Sequence, residues 1–193
     1  MKKWIAAFLA AWILLSGICV SAESAGDADK TVAELDTFDF GDFFMTFDAN
    51  MVGTTYDKTD GGIWFSLYPD YDESAAMHPN ITVVWVETAQ NLTKMNAQGF
   101  AEAVLEAAVT QLESADIAVK NKEVLSAQLD ELDGKDAIMF QYVIEIEGCT
   151  MYTTQIVASD KAFGAYAFTA TYFNEPEQGE ALLEILNTIT WAA

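Results

Sequence analysis

Between Lys135 and Ile146 the bulky apolar side chains Ile138, Phe140, Tyr142, Ile144 and Ile146 recur at every second position. A period of two is the mark of a strand with one face buried. The run stops at Glu147-Gly148, and a second β-rich segment, "CTMYTTQIVAS", begins at once. Two residues are enough to reverse an antiparallel pair, so the segments form a hairpin whose register is set by its turn. Ile146 then faces Cys149, Ile144 faces Met151 and Tyr142 faces Thr153. Such a hairpin is not stable in water by itself, so the rest of the chain must extend its sheet and cover its apolar face.

The neighbouring segments supply both. Around "TKMNAQGFAEAVLEAAVTQLES" the period changes, with Phe100, Val104, Ala108 and Leu112 four apart and Leu105 and Val109 beside them. This predicts an amphipathic helix over Thr93–Ser114, capped by Thr93 or Asn91. Gly99 inside it costs roughly 1 kcal/mol relative to alanine. Further strands are predicted at "FFMTFDANMV", with Phe43, Met45, Phe47, Ala49 and Met51 on one face, and at "IWFSLY", "NITVVWVE", "IAVKNKEVLSAQLDEL" and "AFGAYAFTATYF". The punctuation between them is Asp60-Gly61-Gly62, Pro79, Asp133-Gly134 and Ser159-Asp160-Lys161. The chain closes on a helix over Pro176–Thr188, with Asn174 as its cap, Pro176 in its first turn and Leu182, Ile185, Leu186 and Ile189 as its buried stripe. The expected fold class is α+β: one antiparallel sheet with helices packed on its faces.

The first residues carry an address. Lys2 and Lys3 precede the short apolar run "WIAAFLAAWILL", and Val20-Ser21-Ala22 follows the small-x-small pattern, which together make a secretory signal over residues 1–22 cut between Ala22 and Glu23. The apolar core falls short of the roughly twenty residues that a membrane span needs. Lipid anchoring at Cys19 is not expected, because the bulky Ile18 stands where lipoprotein signals place a small residue. Residues 23–37 are polar without apolar periodicity and are expected as a flexible acidic arm, leaving 38–193 as a single domain. A mature chain of this size buries on the order of 70% of its unfolded surface, enough for a core without disulfides. Cys149, alone after Cys19 is removed, can form no internal bridge.

Charge narrows the partners. Removing residues 1–22 takes two lysines and no acid, so 7 lysines face 30 acids at a formal balance of −23, and the chain has no arginine. Nucleic acid and anionic membrane surfaces are repelled by such a surface. Nucleotides and sugar phosphates lose their usual bidentate fork. The acidity itself is read as solubility of an exported domain.

Catalytic signatures are sparse. Cys149 falls on the apolar face of its hairpin and is expected to pack as a small hydrophobe, whereas a nucleophilic thiol needs a base or cation beside it. The one histidine that could serve is His78, in "AAMHPN". Zinc spacings, a phosphate-cradling loop and a nucleophile elbow are missing from the sequence. "DKTDGG" at 57–62 superficially matches a calcium loop, but Thr59 and Tyr68 occupy ligand positions, so a turn is expected there and neither a metal nor a cofactor. "DTFDFGDFF" and "YPDYDE" mix acids with aromatics, as a cation grip or a solvated edge would. Asn80 and Asn91 head Asn-x-Thr triplets.

The order of elements resembles the PsbP/Mog1-like fold. The resemblance spans roughly residues 60–191 and rests on the "FSLYP" strand end, the single long helix, the run "GKDAIMFQYVIEIEGCTMYTTQIVASDKAFGAYAFTATY" and the closing "ILNTITW". It implies an α/β/α sandwich, and a role as an accessory subunit, binding partner or exported protein, generally without catalysis. It transfers no functional residue. The leading expectation is therefore an exported, non-catalytic module that binds a protein, an envelope component or a small ligand, which a flat sheet or a groove rimmed by aromatics such as Trp64, Tyr68 and Tyr71 would favour. The alternatives are an acidic cation-binding protein, and a hydrolase using carboxylates or a Cys149/His78 pair.

Overall fold

The computed structural model describes residues 35–48, 51–55, 62–68, 78–87, 92–159 and 164–192. The expected signal segment with Cys19 and the Ala22–Glu23 junction lies outside these residues, as do Asp57, Asp60, Tyr71 and Asn91. The elements are β1 (Leu35–Asp39), β2 (Phe43–Asp48), β3 (Val52–Thr55), β4 (Gly62–Tyr68), β5 (Asn80–Glu87), a 3-10 turn (Leu92–Lys94), α1 (Ala97–Ser114), β6 (Val119–Leu132), β7 (Lys135–Ile146), β8 (Cys149–Ser159), β9 (Gly164–Phe173), α2 (Pro176–Leu186) and β10 (Thr190–Trp191).

The β7–β8 hairpin has the register its turn dictates, with Ile146 opposite Cys149, Ile144 opposite Met151 and Tyr142 opposite Thr153. Gly148 occupies the left-handed region at φ 75°, which an L side chain disfavours. At the β6–β7 turn both Asp133 and Gly134 have positive φ, 48° and 75°, matching the right-handed twist of the flanking strands. These strands belong to a seven-stranded antiparallel sheet in the order β3-β4-β5-β9-β8-β7-β6.

The expectation of one sheet needs correction. β2 leaves the large sheet and forms a second one with β1 and β10, in the order β1-β2-β10. The alternation of β2 is the cause: Phe43, Met45 and Phe47 are buried on one face, and that face lies on the large sheet rather than beside it. β1 starts at Leu35, ahead of the expected domain edge at residue 38. The closing helix ends at Leu186, and Thr190–Trp191 turns back to pair with Phe44 and Phe43 of β2.

Both predicted caps also move. Asn96, not Thr93 or Asn91, caps α1, its Oδ1 accepting from the Gly99 N–H at 3.3 Å. Asn174 does not cap α2. It sits at φ 60° and exchanges two hydrogen bonds with Thr150, accepting its N–H at Oδ1 and donating its own N–H to its carbonyl, both at 2.8 Å. Pro176 begins α2 without a cap, since proline removes one of the donors a cap would satisfy.

The large sheet separates two cores. α1 rests on β6 and β7 and buries Phe100, Val104, Leu105 and Leu112 against Phe140 and Ile144. α2 rests on β9, and with β2 it buries Leu182, Leu186 and Phe43 against Tyr166 and Phe168. Helices thus cover both faces, as the α+β expectation required.

Candidate functional site

The α1 side of the sheet is not uniformly apolar. Side chains on one face of neighbouring strands form rows, and the pairing sets Asn80, Thr171, Thr153 and Tyr142 side by side across β5, β9, β8 and β7. The next row on the same face holds Thr82, Thr169 and Gln155. All seven residues are at most 2% exposed. The sheet therefore carries a strip of neutral polar groups beside the apolar core under α1.

Half of the strip is satisfied internally. Thr82 donates its hydroxyl to Asn80 Oδ1 at 3.0 Å, Asn80 donates Nδ2 to the His78 carbonyl at 2.9 Å, and Gln155 donates Nε2 to Thr169 Oγ1 at 2.7 Å. The other half is not. Among the described residues, Tyr142 Oη, Thr153 Oγ1, Gln155 Oε1 and Thr171 Oγ1 have no hydrogen-bond partner. Burial pushes the Tyr142 phenol's pKa up to about 12, against a smaller lowering by the Thr153 hydroxyl that faces it at hydrogen-bonding range, though outside ideal geometry. A buried polar group without a partner costs on the order of 1–3 kcal/mol. Tyr142 and Thr153 face each other across β7 and β8, which leaves Gln155 Oε1 and Thr171 Oγ1 as the two oxygens of the strip without a facing polar group.

The residues singled out in the sequence are not brought together. Cys149 is buried at the first position of β8, and burial pushes its thiol pKa up, away from the thiolate. His78 immediately precedes β5, and β9 lies between β5 and β8, which at roughly 4.8 Å per strand separates the two backbones by about 10 Å. The geometry brings no dyad together. Tyr68 is buried edge-on to His78, with ring centroids 6.2 Å apart, so it rims no open groove. Trp64 lies in β4, and the predicted aromatic rim is otherwise outside the described residues.

"DTFDFGDFF" is an anchor rather than a cation grip. Phe38 stacks on Phe47 at 4.1 Å, Asp39 accepts the Gly41 N–H at 2.8 Å, and Asp42 accepts the Tyr166 hydroxyl. No group of three or more potential metal-ligating side chains occurs among the described residues. Asn80 is buried with its amide committed, so its triplet is no glycan acceptor in the folded chain. No helix among the described residues is long and apolar enough to cross a membrane.

Solved structures match over most of the chain. A cyanobacterial PsbP from Synechocystis superposes with a TM-score of 0.62 at 11% identity, over 87% of this chain and 98% of that one. This chain has the PsbP/Mog1-like fold. The yeast Ran-binding protein Mog1p superposes at 0.51 and 10% identity, over 82% of this chain and 96% of that one. LpqN, involved in cell envelope biogenesis in Mycobacterium tuberculosis, gives 0.50 at 10% identity, over 84% and 93%. No family model and no curated protein sequence matches.

The polar strip went unread in the sequence because threonine, glutamine and asparagine in strands suit a solvated face as well as a buried one. The available signal was compositional: "NITVV", "YTTQIV" and "AFTATY" hold no charged residue. Solvated strand faces ordinarily carry lysine or glutamate.

Proposed function

We propose that this protein is a non-catalytic binding or accessory module, exported with removal of residues 1–22 at the Ala22–Glu23 junction, and acting on a protein, envelope component or small molecule. The observation that carries this reading is the chemistry of the strip: seven buried, uncharged side chains fitted for hydrogen bonding, whose one titratable group, the Tyr142 phenol, is held protonated by burial. The ionisable side chains whose pKa shifts stand out support it. Burial raises those of Cys149, Tyr142 and Tyr172, each toward its protonated and uncharged form. A neutral thiol is a poor nucleophile. The fold is shared with a Ran-binding protein and with an envelope-biogenesis protein, which is consistent with a role in binding.

Alkylation of Cys149 tests the non-catalytic half. The native exported protein should react with iodoacetamide at least a hundred-fold more slowly than the urea-unfolded chain. A native rate near the unfolded one, slowed further by His78→Ala, would instead establish an activated thiol. Amino-terminal sequencing of the exported protein tests the other half and should begin at Glu23.

A further inference from the structure

We infer that the outer edge of β6 is a self-association surface, where a second copy of this chain adds its own β6 antiparallel and continues the large sheet through both molecules. The contact does not depend on the binding-module reading. β6 ends the seven-stranded sheet, and no strand among the described residues pairs with its outer side. At 14 residues it is also the longest of the described strands. A bare edge of that length is a template for another strand. Near its ends the strand's own side chains take an N–H, Asn121 Oδ1 accepting from Lys122 at 2.9 Å and Asp130 Oδ1 from Glu131 at 2.8 Å. The stretch between them, residues 123–130, carries Leu125 and Leu129, which are 50% and 48% exposed. With Leu35 they are the exposed large hydrophobics among the described residues.

Charge selects the occupant. Lys120 and Lys122 lie in the amino half of β6, and Asp130 and Glu131 in its carboxyl half. An antiparallel copy, turned about a two-fold axis near Ser126, sets the lysine end of each molecule against the acidic end of the other, with the two leucine-bearing middles side by side. Parallel addition would set lysines beside lysines and acids beside acids. A wholly basic strand would be repelled at one end and a wholly acidic strand at the other, so the strand that fits is one with the same segregation reversed, which a second β6 supplies. Lys122 already pairs with Glu106 at 2.6 Å, whereas Lys120 and Glu131 take part in no ion pair among the described residues. Register shifts beside Asn121 and Ser126 make the edge irregular, which disfavours indiscriminate strand addition. The acidic excess of each copy opposes the approach, and salt at about 0.15 M screens that repulsion beyond roughly 8 Å while closer contacts persist.

Sedimentation velocity on the exported protein, at tens of micromolar and in salt of about 0.15 M, provides the test. A species of twice the chain mass is expected. Lys120→Glu with Lys122→Glu should weaken its formation by about ten-fold or more, and so should Asp130→Lys with Glu131→Lys, since each pair of changes sets like charges opposite one another. All four changes together keep the net charge of the chain and return opposite charges to facing positions, so they should restore the wild-type dimer. Should a pair variant not fold, hydrogen exchange on the wild type reads the same contact. Amides between Glu123 and Asp130 should slow as concentration rises, while those of Val52–Thr55, at the opposite edge of the sheet, stay constant.

A monomer at every concentration, or a dimer indifferent to either pair of changes, would overturn the inference. So would a four-residue variant that folds and stays monomeric, since the facing charges would then not be what selects the second copy. Slowing at Val52–Thr55 in place of β6 would move the contact to the other edge and defeat it as well.

Discussion

Strands β8 and β9 show opposite characters on their two faces. Toward α2 and the small sheet, β9 presents Tyr166, Phe168 and Ala170, and Phe168 meets Phe43 edge-to-face at 5.0 Å and Trp191 at 6.0 Å. Toward α1 the same strand presents Ala165, Ala167, Thr169 and Thr171. One face is a close-packed aromatic block in which each ring has ring partners. The other is equally dry but retains hydrogen-bonding capacity that its surroundings leave unused. Burial alone therefore does not distinguish an apolar core from a polar one; the pairing of the buried atoms does.

The contrast is sharpest in stability measurements. Phe168→Ala should be the most damaging change, costing about 3–5 kcal/mol in urea unfolding, since it empties the centre of the aromatic block. A cost below about 1 kcal/mol would mean the block is not the stabilising face.

Alkaline pH probes the other face. The Tyr142 phenol has its pKa raised by burial to about 12 from the ordinary value of 10.0, so the folded state keeps the proton that the unfolded state releases. Its contribution is complete below pH 10.0 and is lost as pH rises toward about 12. At about 1.4 kcal/mol per unit, wild type should lose on the order of 3 kcal/mol more than Tyr142→Phe across that window. Other tyrosines cancel in the difference between the two proteins. Parallel pH profiles would show instead that the phenol is solvated.

The smallest effect belongs to the helix over the polar face. Asn96→Ala removes the side-chain cap of α1 and should cost about 1 kcal/mol. Hydrogen exchange should then rise at the amides of Ala97, Gln98 and Gly99, while α2 is unchanged. Equal acceleration in α2 would mean that the two faces unfold as one unit.

These faces were unequally legible in the sequence. The β7–β8 register followed from Glu147-Gly148 and the alternation on either side, because a two-residue turn leaves little freedom. The helix over the polar face followed from its four-residue apolar spacing, although its cap lay at Asn96. The block beneath α2 was half legible: Leu182, Ile185, Leu186 and Ile189 were predicted as a stripe and are buried, but Phe43, Met45 and Phe47 were not expected to belong to a separate sheet. That pairing depends on Thr190–Trp191, a strand too short to show any period. The strip was the least legible, since its meaning lies in the lateral alignment of residues from four strands. Asn174 was misread because its amide serves Thr150 across the sheet, a contact that local spacing cannot reveal.

The two-residue β10 has a consequence for the order of events during folding. β2 meets β1 through a short local connection, but its other edge pairs with Thr190 and Trp191, and its Thr46 N–H is held by Thr188 Oγ1, 142 positions away along the chain. Closing so long a loop costs entropy that local contacts cannot return beforehand, and contacts of this range slow folding. A nascent chain emerging amino end first would thus carry Phe43, Met45 and Phe47 on a strand whose outer edge stays open until Trp191 has been made. Completion of the small sheet is then a late step, which waits until Thr188, Thr190 and Trp191 have left the ribosome.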